Sequence, residues 1–234
     1  AEVFMKAGES YPIRIDFADI NRFAEINFKW RIVKQDRAKP DLPLQRALDL
    51  VKKSDAVVIV LGENSEEVGE GRDKADLRLN SNQIRLVKKV SQTDIPIAVV
   101  LLNGRPLILN QINDKVPAIL EAWYPGEKGG EAVVDVLFGD YNPSGKLPIT
   151  FPQSVGQLPL YYNHKPSSDH SYVDRTSTPL YHFGHGLSYT SFNYHNLKIM
   201  PNIIGAEGEI TVQLDITNNG DIYGTEVVQL YLRD

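Results

Sequence analysis

Two six-residue runs of apolar, β-favouring side chains, Ala56-Val57-Val58-Ile59-Val60-Leu61 and Ile97-Ala98-Val99-Val100-Leu101-Leu102, constrain the fold of this chain most. Neither alternates with polar residues, so each suits a strand buried on both faces, the pattern of a parallel sheet. Between them the period turns helical around Ser81 to Val90. Ahead of the first run, Leu44, Ala47, Leu48 and Val51 share one helical face, with Arg46, Asp49, Lys52 and Lys53 off it. Val116 to Trp123 supplies a third strand and Gly129 to Phe138 a third helix. This alternation predicts the α/β class: a parallel or mixed sheet with helices on both faces, over about residues 41–165.

The flanks have a different texture. Tyr11, Ile13, Ile15 and Phe17 alternate with polar residues, and Ile26, Phe28, Trp30 and Ile32 repeat the pattern, which predicts an antiparallel hairpin. A lone hairpin is marginal in water, so these strands are expected to complete a sheet made elsewhere rather than to extend an edge downstream. Lys34 to Pro43 then reads as a linker, with Pro40 and Pro43 as breakers. Towards the other end Ile210, Val212, Leu214 and Ile216 alternate with polar residues. Asn218-Asn219-Gly220 turns the chain, and Glu226 to Leu232 is expected to form a further strand. About three strands from Phe192 onward fall short of the roughly seven of an immunoglobulin-type sandwich, so that module reads as incomplete.

Composition removes several classes of function. A formal charge of −5 and scattered cations offer no basic stripe for nucleic acid. No apolar run approaches the roughly 20 residues of a membrane span, and the first residues lack the charged and apolar regions of a signal peptide, so a soluble chain is expected. The absence of cysteine excludes disulfides and thiol chemistry, and the five histidines have no zinc-type spacing; neither cofactor nor metal is expected.

The chemistry concentrates after the first apolar strand, in Gly62-Glu63-Asn64-Ser65-Glu66-Glu67-Val68-Gly69-Glu70-Gly71-Arg72-Asp73-Lys74. Loops at the carboxyl ends of parallel strands are where α/β scaffolds place functional groups. The alternative is a solvated acidic edge. Gly139-Asp140-Tyr141-Asn142-Pro143-Ser144-Gly145-Lys146-Leu147 imitates a phosphate loop but fails as one. Five residues separate its glycines instead of four, Leu147 follows the lysine, and Pro148 meets a strand-like segment instead of a helix. Asn142 to Gly145 is better read as a turn. Trp123-Tyr124-Pro125-Gly126 reads as packing more than ligand contact. Tyr181-His182-Phe183-Gly184-His185-Gly186-Leu187-Ser188-Tyr189 reads as a seam between domains in preference to a two-histidine metal site.

Taken in order, Asn103-Gly104-Arg105-Pro106-Leu107, Ala122-Trp123-Tyr124-Pro125-Gly126, Val136 to Pro148 and Phe183-Gly184-His185-Gly186-Leu187-Ser188-Tyr189-Thr190 resemble the second half of a family 3 glycoside hydrolase, the group of β-glucosidases and β-xylosidases. The resemblance covers roughly residues 45–234. It implies an α/β sandwich domain at 41–165, an interdomain loop at 166–191 and the start of a fibronectin type III-like module at 192–234. The opening hairpin, 1–35, is similar to the end of a PA14-type β insert.

The same resemblance assigns the acidic loop. Family members commonly show Gly-Glu, six residues and then the acid/base Glu, which here joins Gly62-Glu63 to Glu70. Members with the insert show Glu-Gly-x-Asp-Arg, which falls on Glu70-Gly71-Arg72-Asp73-Lys74 with lysine in place of the arginine. Arg72 stands where an aromatic is usual, and His185 where a tyrosine is. Retaining hydrolysis uses two carboxyl groups about 5–5.5 Å apart, a nucleophile and an acid/base. The resemblance implies that the nucleophile is an aspartate on a (β/α)₈ barrel, which these residues have no room for. The expected activity is therefore part of a retaining β-glycosidase acting on terminal non-reducing β-linked glucosides or xylosides. This chain would supply Glu70 as general acid/base, and a barrel domain or chain would be its partner. Glu66 and Glu67 are read as solvated neighbours, either of which becomes the donor if the loop is displaced. Adjacent Arg72 and Lys74 are expected to oppose protonation of Glu70. The resemblance also implies a periplasmic or secreted setting. A homo-oligomer stays open, and a non-catalytic carbohydrate-binding or scaffold fragment is the alternative.

Overall fold

The computed structural model describes residue 9 and residues 42–164 and 171–233. The chain divides into Ala1–Pro40 and Asp41–Asp234, and every element described belongs to the second unit. The expected hairpin and most of the linker after it lie outside the described residues, as does part of the 166–191 loop.

The elements run α1 (Leu42–Val51), β1 (Val57–Gly62), α2 (Ser81–Val90), β2 (Ile97–Leu102), β3 (Ala118–Glu121), α3 (Gly129–Phe138), β4 (Phe192–Met200) and β5 (Thr211–Asn218). Pro43, expected to break the chain, instead lies in the first turn of α1. A proline is tolerated there because that turn has no intrahelical acceptor for its missing N–H. Asn80 caps α2, its side-chain oxygen accepting from the backbone N–H groups of Asn82 (2.8 Å) and Gln83 (3.4 Å).

β1, β2 and β3 form a sheet in that order, parallel throughout, with Ile59 beside Val99 and Leu61 beside Leu101. One face carries the core. Ile59, Leu61, Val99 and Leu101 pack with Ile84, Val87 and Val90 of α2, with Val51 of α1, and with Leu79, Leu107, Leu109 and Ile112 from the segments that follow β1 and β2. Those segments meet side by side, with Ile108 N donating to Leu77 O at 2.9 Å. Helices α1 and α2 cover this face, and on the opposite face Val100 of β2 is buried as well. On the opposite face of β1, Val58 and Val60 remain 49% and 59% exposed among the described residues. Apolar composition signals a strand able to be buried twice; it does not specify which element covers it. α3 buries only Gly129 and leaves Val134 and Phe138 exposed.

β4 and β5 form a separate antiparallel pair, irregular between His195 and Lys198. The strand expected over Glu226 to Leu232 forms no ladder among the described residues. Side chains hold that segment instead. Glu226 accepts from Tyr194 Oη (3.0 Å) and lies 3.6 Å from Lys146 Nζ, while Gln229 Nε2 donates to Gly184 O (2.9 Å). An alternating segment becomes a strand only where a neighbouring edge takes its backbone hydrogen bonds. The loop read as a seam lies between this segment and residues 145–151: Gly184 N donates to Leu147 O and Leu147 N to His185 O, both at 2.8 Å.

Candidate functional site

The carboxyl ends of the three parallel strands bring together Glu63, Asn103 and Glu121, and the acidic loop closes over them. Gly62 makes this approach possible. It has φ 141°, and a Cβ there would collide with the carbonyl of Leu102. Glu63 N donates to that same carbonyl at 3.0 Å, which continues the β1–β2 pairing one residue into the loop. On the outer edge of β1 the Gln83 side chain imitates a neighbouring strand. Its Nε2 donates to Gly62 O at 2.9 Å and its Oε1 accepts from Gly62 N at 3.3 Å, tying the start of the loop to α2.

The Glu63 side chain is only 3% exposed and lies between two cations, Lys74 Nζ at 3.3 Å and Arg105 Nε at 3.2 Å. Neither carboxylate oxygen has a well-directed hydrogen bond, so the pairing is charge at contact distance. A buried carboxylate needs that company: removing one partner of such a group typically costs about 3–5 kcal/mol. Lys74 also donates to Glu67 Oε1 at 3.0 Å, and Asn64 N donates to Glu67 Oε2 at 3.2 Å. The lysine hydrogen bond first, then the one from Asn64, holds the Glu67 carboxyl below its ordinary value. Burial disfavours the Lys74 ammonium, but Glu67 and Glu63 together outweigh it and raise its pKa. Of the two cations expected to act on Glu70, Lys74 is thus engaged by two other carboxylates. Asp76 is drawn to about 2 by its hydrogen bonds from the Arg78 side chain and backbone.

Arg105 spans the loop. Besides Glu63, its Nη1 donates to Arg72 O and its Nη2 to Glu67 O, both at 3.1 Å. Below it Asn103, fully buried, donates through Nδ2 to Arg105 O (2.9 Å) and to Glu121 Oε2 (3.2 Å). Glu121 Oε1 in turn accepts from Trp123 N at 3.0 Å, a residue with the left-handed φ of 50°. Burial pushes Glu121 up to about 7, against the lowering effect of its bonds from Trp123 and Asn103. Trp123 packs on Phe151 with ring centroids 5.9 Å apart, in keeping with the packing reading, whereas Tyr124 is half exposed and covers Gly104.

Glu70 differs from all of these. It is exposed, and no hydrogen bond or ion pair to it exists among the described residues. Gly69 and Gly71 on either side have φ of 120° and 70°, a conformation that side chains other than glycine's rarely adopt. A groove of about 840 Å³ beside the loop is lined by Glu67, Lys74, Arg78, Arg85 and Lys88, but not by Glu70. Glu66 likewise points outward as an exposed residue, its backbone N–H bonded to Asn64 Oδ1 at 2.8 Å. Sequence reasoning singled out Glu70 but missed Gln83, Asn103, Arg105 and Glu121. The available signal was an Asn-Gly-Arg turn directly after a buried parallel strand whose neighbour carries the acidic loop.

With this geometry in hand, comparison with known proteins is decisive at one level. The profile of the glycosyl hydrolase family 3 C-terminal domain matches residues 12–189. The chain belongs to that family. Its family 3 relatives include a β-xylosidase from Formosa agariphila, 47% identical over 192 residues, an alignment covering 80% of this chain and 27% of that protein. A periplasmic β-glucosidase from Salmonella typhimurium is 40% identical over 220 residues, covering 89% of this chain and 29% of that protein. Among solved structures, a β-glucosidase from Listeria innocua in complex with glucose superposes with a TM-score of 0.74 at 34% identity, covering 80% of this chain and 28% of that one. A β-glucosidase from Erythrobacter marinus gives 0.70 at 40% identity, covering 79% and 26%. The chain therefore spans less than a third of the length of these family 3 relatives. The family match also runs through residues 12–41, where the sequence suggested an insert and a linker.

Proposed function

We propose that this chain supplies Glu70 as the general acid/base of a retaining β-glycosidase, acting on terminal non-reducing β-linked glucosides or xylosides. A (β/α)₈ barrel, in another domain or another chain, supplies the aspartate nucleophile and most contacts to the sugar. The observation that carries this reading is the contrast within one loop. Glu63 and Glu67 are committed to Lys74 and Arg105, whereas Glu70 stands exposed and unpaired at the carboxyl end of β1. A cation in contact with a carboxyl group favours its ionised form and so opposes its holding a proton to donate.

In the first step the barrel's carboxylate attacks the anomeric carbon while the Glu70 proton moves to the departing glycosidic oxygen, breaking the carbon–oxygen bond. In the second step Glu70, now ionised, takes a proton from water as that water displaces the enzyme ester, returning the nucleophile to its carboxylate form. For the division of the chain we keep 1–35 as the end of a PA14-like insert, 41–165 as the α/β sandwich domain, 166–191 as the connecting loop and 192–234 as a fibronectin type III-like module. For the setting we keep periplasmic or secreted; the name of the Salmonella typhimurium relative, a periplasmic β-glucosidase, supports the first.

With the barrel present, Glu70→Ala should lower hydrolysis of glycosides with poor leaving groups by about 10²–10⁴-fold. Glycosides of activated phenols, which leave without a proton, should be affected far less in their glycosylation step. Equal losses on both substrate types would remove Glu70 from the role of acid.

A further inference from the structure

The exposed position of Glu70 leaves open what fixes it. Its own side chain makes no bond among the described residues, and the glycines on both sides offer little backbone restraint. The restraint comes from outside the loop. Arg105 donates to the carbonyl of Glu67, three residues before Glu70, and to that of Arg72, two residues after it, both at 3.1 Å, while its Nε lies 3.2 Å from the buried Glu63. One planar guanidinium thus engages the loop on either side of Glu70 and at its root, a geometry that the single-point charge of lysine cannot reproduce. The backbone of Arg105 is set in turn by Asn103 Nδ2, which Glu121 also accepts from.

We propose that Arg105 is a positioning residue for the proton donor at 70, holding both shoulders of its loop from the end of β2. The inference rests on the acid/base reading of Glu70 but is separable from it, because the clamp is a property of the chain itself. Two measurements on Arg105→Ala and Arg105→Lys test it. In hydrogen exchange, backbone amides within residues 67–74 should exchange at least tenfold faster in Arg105→Ala than the loss of global stability, read from the amides of β1–β3, accounts for. Arg105→Lys should restore protection only in part.

In the barrel-bearing protein, Arg105→Ala should lower turnover of poor-leaving-group glycosides about tenfold or more, while activated glycosides are little affected. Combined with Glu70→Ala it should add almost no further loss, because both act through the same proton. Unchanged exchange at 67–74 would overturn the clamp whatever Glu70 does. Losses that multiply in the double variant would show that Arg105 acts elsewhere. If Glu70→Ala alone showed no dependence on leaving group, the acid/base reading would fall, and the exchange measurement would still decide the clamp.

Discussion

Among single residues, Glu121 makes the most specific demand on its surroundings. Its carboxyl lies at the end of β3 among buried groups, and desolvation raises it from 4.5 to about 7 despite two hydrogen bonds that favour the charged form. A carboxyl whose pKa is higher folded than unfolded takes up a proton on folding between those two values. Stability from this site is therefore greatest below about 4.5, falls as pH rises to about 7 and is level above it. Glu121→Gln keeps an acceptor for Trp123 N and removes the titration. The protein carrying it should lose the part of the pH 4.5–7 decline due to this group, roughly 1–3 kcal/mol. Thermal unfolding of both proteins across pH 4–8 measures the difference, and parallel curves would contradict it. Such a group was not visible in the sequence, where Glu121 is one acidic residue inside an apparent strand. Only the meeting of Asn103 and Trp123 around it, 18 residues back and two ahead, creates its environment.

Elements set by local pattern were legible, and those set by distant partners were not. β2 and α2 occupy Ile97–Leu102 and Ser81–Val90, as the apolar run and the helical period require, and α3 occupies Gly129–Phe138. β3 is shorter than its apolar segment. Asn113–Lys115 forms a tight turn just before it, and the left-handed Trp123 ends the extended backbone. Glu226 to Leu232 has strand chemistry but no partner edge among the described residues. The Arg105 clamp reaches carbonyls 33 and 38 residues away, which no local period encodes. The amino end of α2 matters twice, since Gln83 in its first turn also holds Gly62. Asn80→Ala should cost about 1 kcal/mol of stability through the lost cap. It should also speed amide exchange at Gly62 and Glu63. A stability loss without that local effect would show the cap and the loop to be uncoupled.

At the scale of the whole molecule, the proposed function makes the acidic cluster and the strand ends one half of a reaction site. Its fixed parts, Glu63, Lys74 and Arg105, face one another, and its free carboxyl faces outward. Residues 142–147 are joined to the segments flanking the β4–β5 pair, Asn142 accepting from Ser188 and Tyr189 and Lys146 pairing with Glu226, which in turn accepts from Tyr194 of β4. The most direct test of the proton-donor assignment is to add azide to the Glu70→Ala protein, barrel present, turning over an activated β-glucoside or β-xyloside. Turnover should rise with azide concentration, and the β-configured glycosyl azide should accumulate, as read by proton NMR. Azide without effect on rate or product would contradict the assignment.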